Sequence, residues 1–176
     1  MPPPSGPDRA EQPDGEPDHV TQLALAAVHG GAGVTTLASL LRSEGDLGVF
    51  PRHGLNWLAD RVQGRPLILV ARNTVAAAGG VMAAINAIDG QGGHAAVLAV
   101  VSDGLPEPKA AVYRYRLLAQ RVDGLVRVPF VASLRASDDP SQVSLPRAAH
   151  RALAEIRALA AACAAGHHTA RTRRGA

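Results

Sequence analysis

At 176 residues, with 18 basic against 15 acidic side chains and a formal charge of +3, the chain can bury one hydrophobic core and fits one domain. Lys109 is the single lysine among those bases, so an ordinary phosphate loop, which carries its own lysine, is excluded everywhere else. One cysteine, Cys163, excludes an intrachain disulfide framework and cysteine-rich zinc sites and points to a reducing, cytoplasmic location.

The first element is an acidic, proline-rich segment. Residues 1–19 hold Asp8, Glu11, Asp14, Glu16 and Asp18, one base (Arg9) and six of the 13 prolines. That composition buries too little apolar surface to order itself, so residues 1–20 are expected to form a disordered tail. They carry no basic stretch followed by an apolar run and do not read as a secretory signal.

From residue 21 the pattern alternates between strand and helix. Residues 23–28 (LALAAV) form an apolar run ending at Gly30 and Gly31, as a buried parallel strand does. A short helix is predicted over 34–42, a loop over 45–50 and a further helix over 55–62. Residues 67–71 (LILVA) are the clearest second strand, and Thr74 is placed to cap a helix over 75–88. Within that helix Gly79 and Gly80 weaken it or mark a close contact. A third strand follows at 95–101, broken from the preceding helix by Asp89, Gly90, Gly92, Gly93 and His94, so residues 75–101 make no membrane span. Pro106 and Pro108 lead into a helix over 109–122, which stops before Gly124. Residues 125–128 form a short fourth strand closed by Pro129. Pro146 then opens a final helix ending near Gly166, with an apolar stripe at Ala149, Leu153, Ile156, Leu159 and Ala160. Strands joined by helical crossovers give an α/β domain over 21–165, with a mostly parallel sheet flanked by helices. Residues 166–176, with Arg171, Arg173 and Arg174, are expected to be a disordered basic tail.

The informative segment lies between the first strand and the first helix: His29, Gly30, Gly31, Ala32, Gly33, Val34, Thr35 and Thr36. Glycines let the backbone wrap an anion with successive N–H groups pointing inward, and the following helix adds its positive N-terminal end. Lysine would neutralise the outer phosphates, and the following Ser or Thr would hold Mg²⁺. Here the loop skeleton is present and its cation is not.

This loop resembles the deviant phosphate loop of the ParA/MinD partitioning ATPases, Lys-Gly-Gly-x-Gly-Lys-Thr-Thr. Gly30, Gly31, Gly33, Thr35 and Thr36 match it, while His29 and Val34 stand where the two lysines would be. Residues 67–74, 96–103 and 127–130 resemble that family's later strands, which puts Asp103 at the base-recognition position. Asp103 also reads as an ordinary Asp-Gly-Leu-Pro turn. The arrangement is also similar to an actinobacterial family of degenerate P-loop proteins, a resemblance that brings no defined activity with it.

The resemblance implies a reduced P-loop NTPase-like, three-layer αβα domain that is catalytically degenerate. Residues 43–65 contain no apolar strand ending in an acid, and Asp46 and Asp60 lack a Walker B context. Without loop lysine or Walker B acid, hydrolysis loses its main electrostatic stabilisation. The expected function is a binding or interaction module for another protein, with weak binding of ATP or another nucleotide retained at the loop. No residue is assigned a catalytic or metal-binding role, and Thr35 would meet Mg²⁺ only with a bound nucleotide. Two alternatives stand beside it. One is an atypical ATPase or GTPase whose cation comes from Lys109, His29 or a partner. The other is a small adaptor without ligand. The C-terminal arginines also allow weak, salt-sensitive contact with nucleic acid.

Overall fold

Small and branched apolar residues alternating along four strands give the sheet two buried faces. A computed structural model of the chain describes residues 22–51 and 58–174, with residues 58 and 167–174 as backbone alone. The acidic segment and the start of the predicted 55–62 helix lie outside the described residues. Strands β1 (Ala24–Ala27), β2 (Asp46–Val49), β3 (Leu67–Arg72), β4 (Val97–Val101) and β5 (Gly124–Val128) form one parallel sheet in the order β2-β1-β3-β4-β5. The helices are α1 (Val34–Leu41), α2 (Val75–Gly90), α3 (Lys109–Leu118) and α4 (Arg147–Arg174).

Alternation assigns each residue to a layer. Leu25, Ala27, Ile68, Val70, Val97, Ala99 and Val126 pack with Leu37, Ala38 and Leu41 of α1 and with Leu153, Ile156 and Ala160 of α4. Ala24, Ala26, Leu67, Leu69, Leu98 and Val100 face the other way, against Ala77, Val81 and Ile85 of α2 and Ala111, Tyr115 and Leu118 of α3. The result is a three-layer αβα domain. This strand order is the flavodoxin-like doubly wound order, whose topological switch point lies between β1 and β3.

Four local expectations are corrected. Residues 45–50, read as a loop from their glycines, contain edge strand β2. It pairs with β1 at Leu25↔Asp46 and Ala27↔Val49, with a bulge between, where the Asp46 carboxylate accepts from the Gly48 N–H at 2.8 Å. The described part of the 55–62 stretch is a π-helical turn, Leu58–Val62, not an α-helix. The helix predicted to reach residue 122 ends at Leu118 and tightens into a 3₁₀ turn, Ala119–Arg121. Helix α4 continues through Gly166 to Arg174, because one helical glycine costs only about 1 kcal/mol and no proline follows it. No helix among the described residues is long and apolar enough to cross a membrane.

At α2 the glycine pair marks no close contact: a Cβ at Gly80 would stand in ordinary van der Waals contact, 3.6 Å from the Val28 carbonyl oxygen, and one at Gly79 would meet nothing within 4 Å. The expected cap holds. The Thr74 hydroxyl accepts from the Ala77 N–H at 3.2 Å. Thr74→Ala should therefore lower stability by about 1 kcal/mol in urea unfolding, with an unchanged slope. Cys163 is a partly buried packing residue, its thiol pushed up to about 11 by burial and secondarily by Asp123.

Candidate functional site

In a doubly wound sheet the segments leaving the strand carboxyl ends converge at the switch point, and ligands bind there. The glycine loop leaves β1, and Arg72 ends the neighbouring β3, with Asn73 following it. A cavity of about 180 Å³ opens between them, lined on its polar side by Gly31, Gly33, Thr36, Arg72 and Asp103. Val128, Pro129, Phe130 and Leu134, from the end of β5 onward, form its apolar wall.

The loop backbone is shaped for this position. Gly31 and Gly33 hold φ of +72° and +90°, the left-handed region that side chains with a Cβ rarely adopt. Gly33 is the N-cap of α1, and no side chain caps that end. Its carbonyl accepts from the Leu37 N–H at 2.9 Å, which fixes the helix start. The first-turn N–H groups of Val34, Thr35 and Thr36 make no hydrogen bond to another described residue, and no acid stands in that turn. Free donors with an unopposed helix dipole favour an anion.

The predicted loop residues do not all face the cavity. Gly30 and Thr35 are exposed and Thr36 is half-exposed, while Ala32 and Val34 are buried. Val34 packs with Leu37, Ala38 and Leu41, so the position matched to the loop lysine is a core position here. His29 is engaged at both ring nitrogens. Its Nδ1 lies 2.9 Å from the Gly30 carbonyl oxygen and its Nε2 accepts from the Arg72 backbone N–H at 3.3 Å. The second contact ties the loop to β3.

The cation at the loop is Arg72, which sequence reasoning missed. Its Nε donates to the Gly31 carbonyl at 2.8 Å, and an Nη lies 3.9 Å from where a Gly31 Cβ would be. The fully buried Tyr115 of α3 donates its hydroxyl to the Arg72 carbonyl. Burial, aided by Glu107, holds that phenol above its ordinary range, so it stays a protonated donor. Lys109 is exposed at the start of α3 and contributes nothing to the cavity lining. Arg135 supplies a second guanidinium, 5.0 Å above the Phe130 ring.

Asp103 lines the cavity, and its carboxylate accepts from the Leu105 N–H at 2.9 Å, as in the Asp-Gly-Leu-Pro turn. Asn73, the buried polar side chain of the described core, fastens that turn to β3. Its Oδ1 accepts from the Asp103 N–H at 3.3 Å and its Nδ2 donates to the Leu105 carbonyl at 3.4 Å.

Neither neighbour of β1 brings an acid to the loop. Strand β2 ends at Val49, followed by Phe50 and Pro51, and β3 ends at Arg72, followed by Asn73. Asp46 starts β2 at the opposite edge, and Asp60 is exposed in the π-helical turn. Ligand pockets for drug-sized molecules run from about 300 to 1,000 Å³. The smaller cavity here suits a phosphate-sized anion with part of its substituent against the Phe130 wall. A larger concavity, about 810 Å³, lies between α1 and α4 and involves none of the predicted loop residues. Comparison of the chain with protein-family models, curated proteins and solved structures gives no match.

Proposed function

We propose that this protein is a non-hydrolysing relative of the ParA/MinD-type ATPases, a binding module that holds a phosphate-bearing ligand at the switch point between β1 and β3. The observation that carries the proposal is the pairing of the uncapped α1 N-terminus with the Arg72 guanidinium on one small cavity. The N–H groups of the first turn bind the anion, and Arg72 supplies the charge that a loop lysine would have supplied. The apolar wall around Phe130 takes the adjoining part of the ligand. The partner that reads the ligand-bound state is another protein. Hydrolysis is not supported, because Val34 is a core residue and no acid ends a strand beside β1. Removing one such preorganised electrostatic group costs on the order of 10²-fold or more in rate.

The presence of Arg72 favours one rival, an atypical nucleoside triphosphatase with arginine in place of the loop lysine. Calorimetric titration of the full chain with ATP and GTP, with and without Mg²⁺, paired with a phosphate-release assay, separates the two. The binding module gives weak saturable heat and no phosphate release above buffer. Turnover abolished by Thr35→Ala would establish the hydrolase. No heat and no thermal shift at millimolar nucleotide would leave an adaptor without nucleotide.

A further inference from the structure

A concavity larger than the one at the glycine loop lies on another part of the domain. It runs between α1 and α4, about 810 Å³, with a leucine floor that includes Leu23, Leu41 and Leu153. Arg42 and Arg157 stand on the rim with His150, all three exposed, and no acid is among its described lining residues. Arg157 also donates to the Leu40 carbonyl at 3.2 Å, which offsets the partial negative charge at the end of α1.

Leu23, at the entry to β1, is itself a lining residue, so the groove lies beside the point where the described chain begins. The sequence preceding that point has the complementary chemistry. Residues 13–18 read Pro-Asp-Gly-Glu-Pro-Asp, three acids and two prolines with no base. Asp18 is five residues before Leu23 and Asp14 nine, an extended reach of at most about 18 and 32 Å. Tethering at that length gives an effective concentration on the order of millimolar. Proline also limits the conformations such a segment must give up on binding.

We infer that the acidic segment 13–18 of this chain docks in the α1–α4 groove, its carboxylates on Arg42, His150 and Arg157 and its prolines over the leucine floor. The segment thereby covers an apolar floor with a basic rim. Any acidic peptide entering the groove from another protein must displace it. The contact is independent of the ligand proposed for the glycine loop.

The test is paramagnetic relaxation in the full chain, with Cys163→Ala and a nitroxide on Gly15→Cys. The amide signals of Val143, Ser144 and Leu145 are expected to fall below half intensity. They should recover in Arg42→Glu and in a variant with Asp14→Asn, Glu16→Gln and Asp18→Asn, which leaves the folded domain untouched. Mixing nitroxide-labelled chain with isotope-labelled chain should give no broadening. The inference is overturned by unbroadened groove signals, by broadening centred on another surface, by broadening that survives the neutralised segment, or by a contact that forms only between copies.

Discussion

Replacing Gly45 with alanine should cost about 3 kcal/mol of unfolding free energy, the upper end of overpacking penalties. Gly45 is buried where the chain turns into β2, and a Cβ there would lie 1.7 Å from the Leu23 carbonyl oxygen. The obstacle is backbone, so no side-chain rotation relieves it. The Gly45 carbonyl also accepts from the Leu25 N–H at 2.8 Å, the contact that starts the β1–β2 ladder. Pushing Gly45 away therefore loosens the whole edge strand, including the Phe50 N–H bond to the Ala27 carbonyl. Urea unfolding measures the cost, and hydrogen exchange should localise it to the Leu25 and Phe50 amides. Gly79→Ala is the control: it meets nothing within 4 Å in a helix and should gain about 0.5–1 kcal/mol. Equal stability of Gly45→Ala and the parent would mean that β2 does not lie against β1 as described.

Replacing Arg72 with alanine should weaken anion binding about 10- to 100-fold, the worth of one charge-assisted hydrogen-bonded contact of about 1.5–3 kcal/mol. The side chain is exposed, so the fold should be little affected. Arg72→Lys should recover only part of the affinity. Lysine keeps the charge but lacks the planar fork that contacts Gly31 with one nitrogen while directing others at a ligand. Parallel titrations of the three proteins with ATP at low salt measure the ratio. Equal affinity in parent and Arg72→Ala would remove Arg72 from the site. Tyr115 acts only by holding the Arg72 backbone, so Tyr115→Phe should shift this binding less than Arg72→Ala does.

The sheet was largely legible because β1, β3, β4 and β5 are apolar runs bounded by glycine or proline, and strands of that kind need both faces covered. Strand β2 was not, since Asp46 and Gly48 carry turn chemistry and the strand is held by a bulged pairing rather than by an apolar face. The loop was legible from Gly30, Gly31, Gly33 and the two threonines. The burial of Val34 was not anticipated, although Val34, Leu37, Ala38 and Leu41 share one helical face at i, i+3, i+4 and i+7. Arg72, Asn73, Phe130 and Arg135 were not legible, because the linear sequence does not state which strands are neighbours. Once β1 and β3 are adjacent, the residue ending β3 is the natural place to seek the missing cation.

The most direct measurement is an amide-resolved NMR titration of the isotope-labelled full chain with ATP. A phosphate-binding loop predicts saturable shifts concentrated at Gly31, Gly33, Val34, Thr35 and Thr36 with Arg72, and their loss in Arg72→Ala. Unchanged amides at millimolar ATP, or shifts confined to the α1–α4 groove, would contradict it.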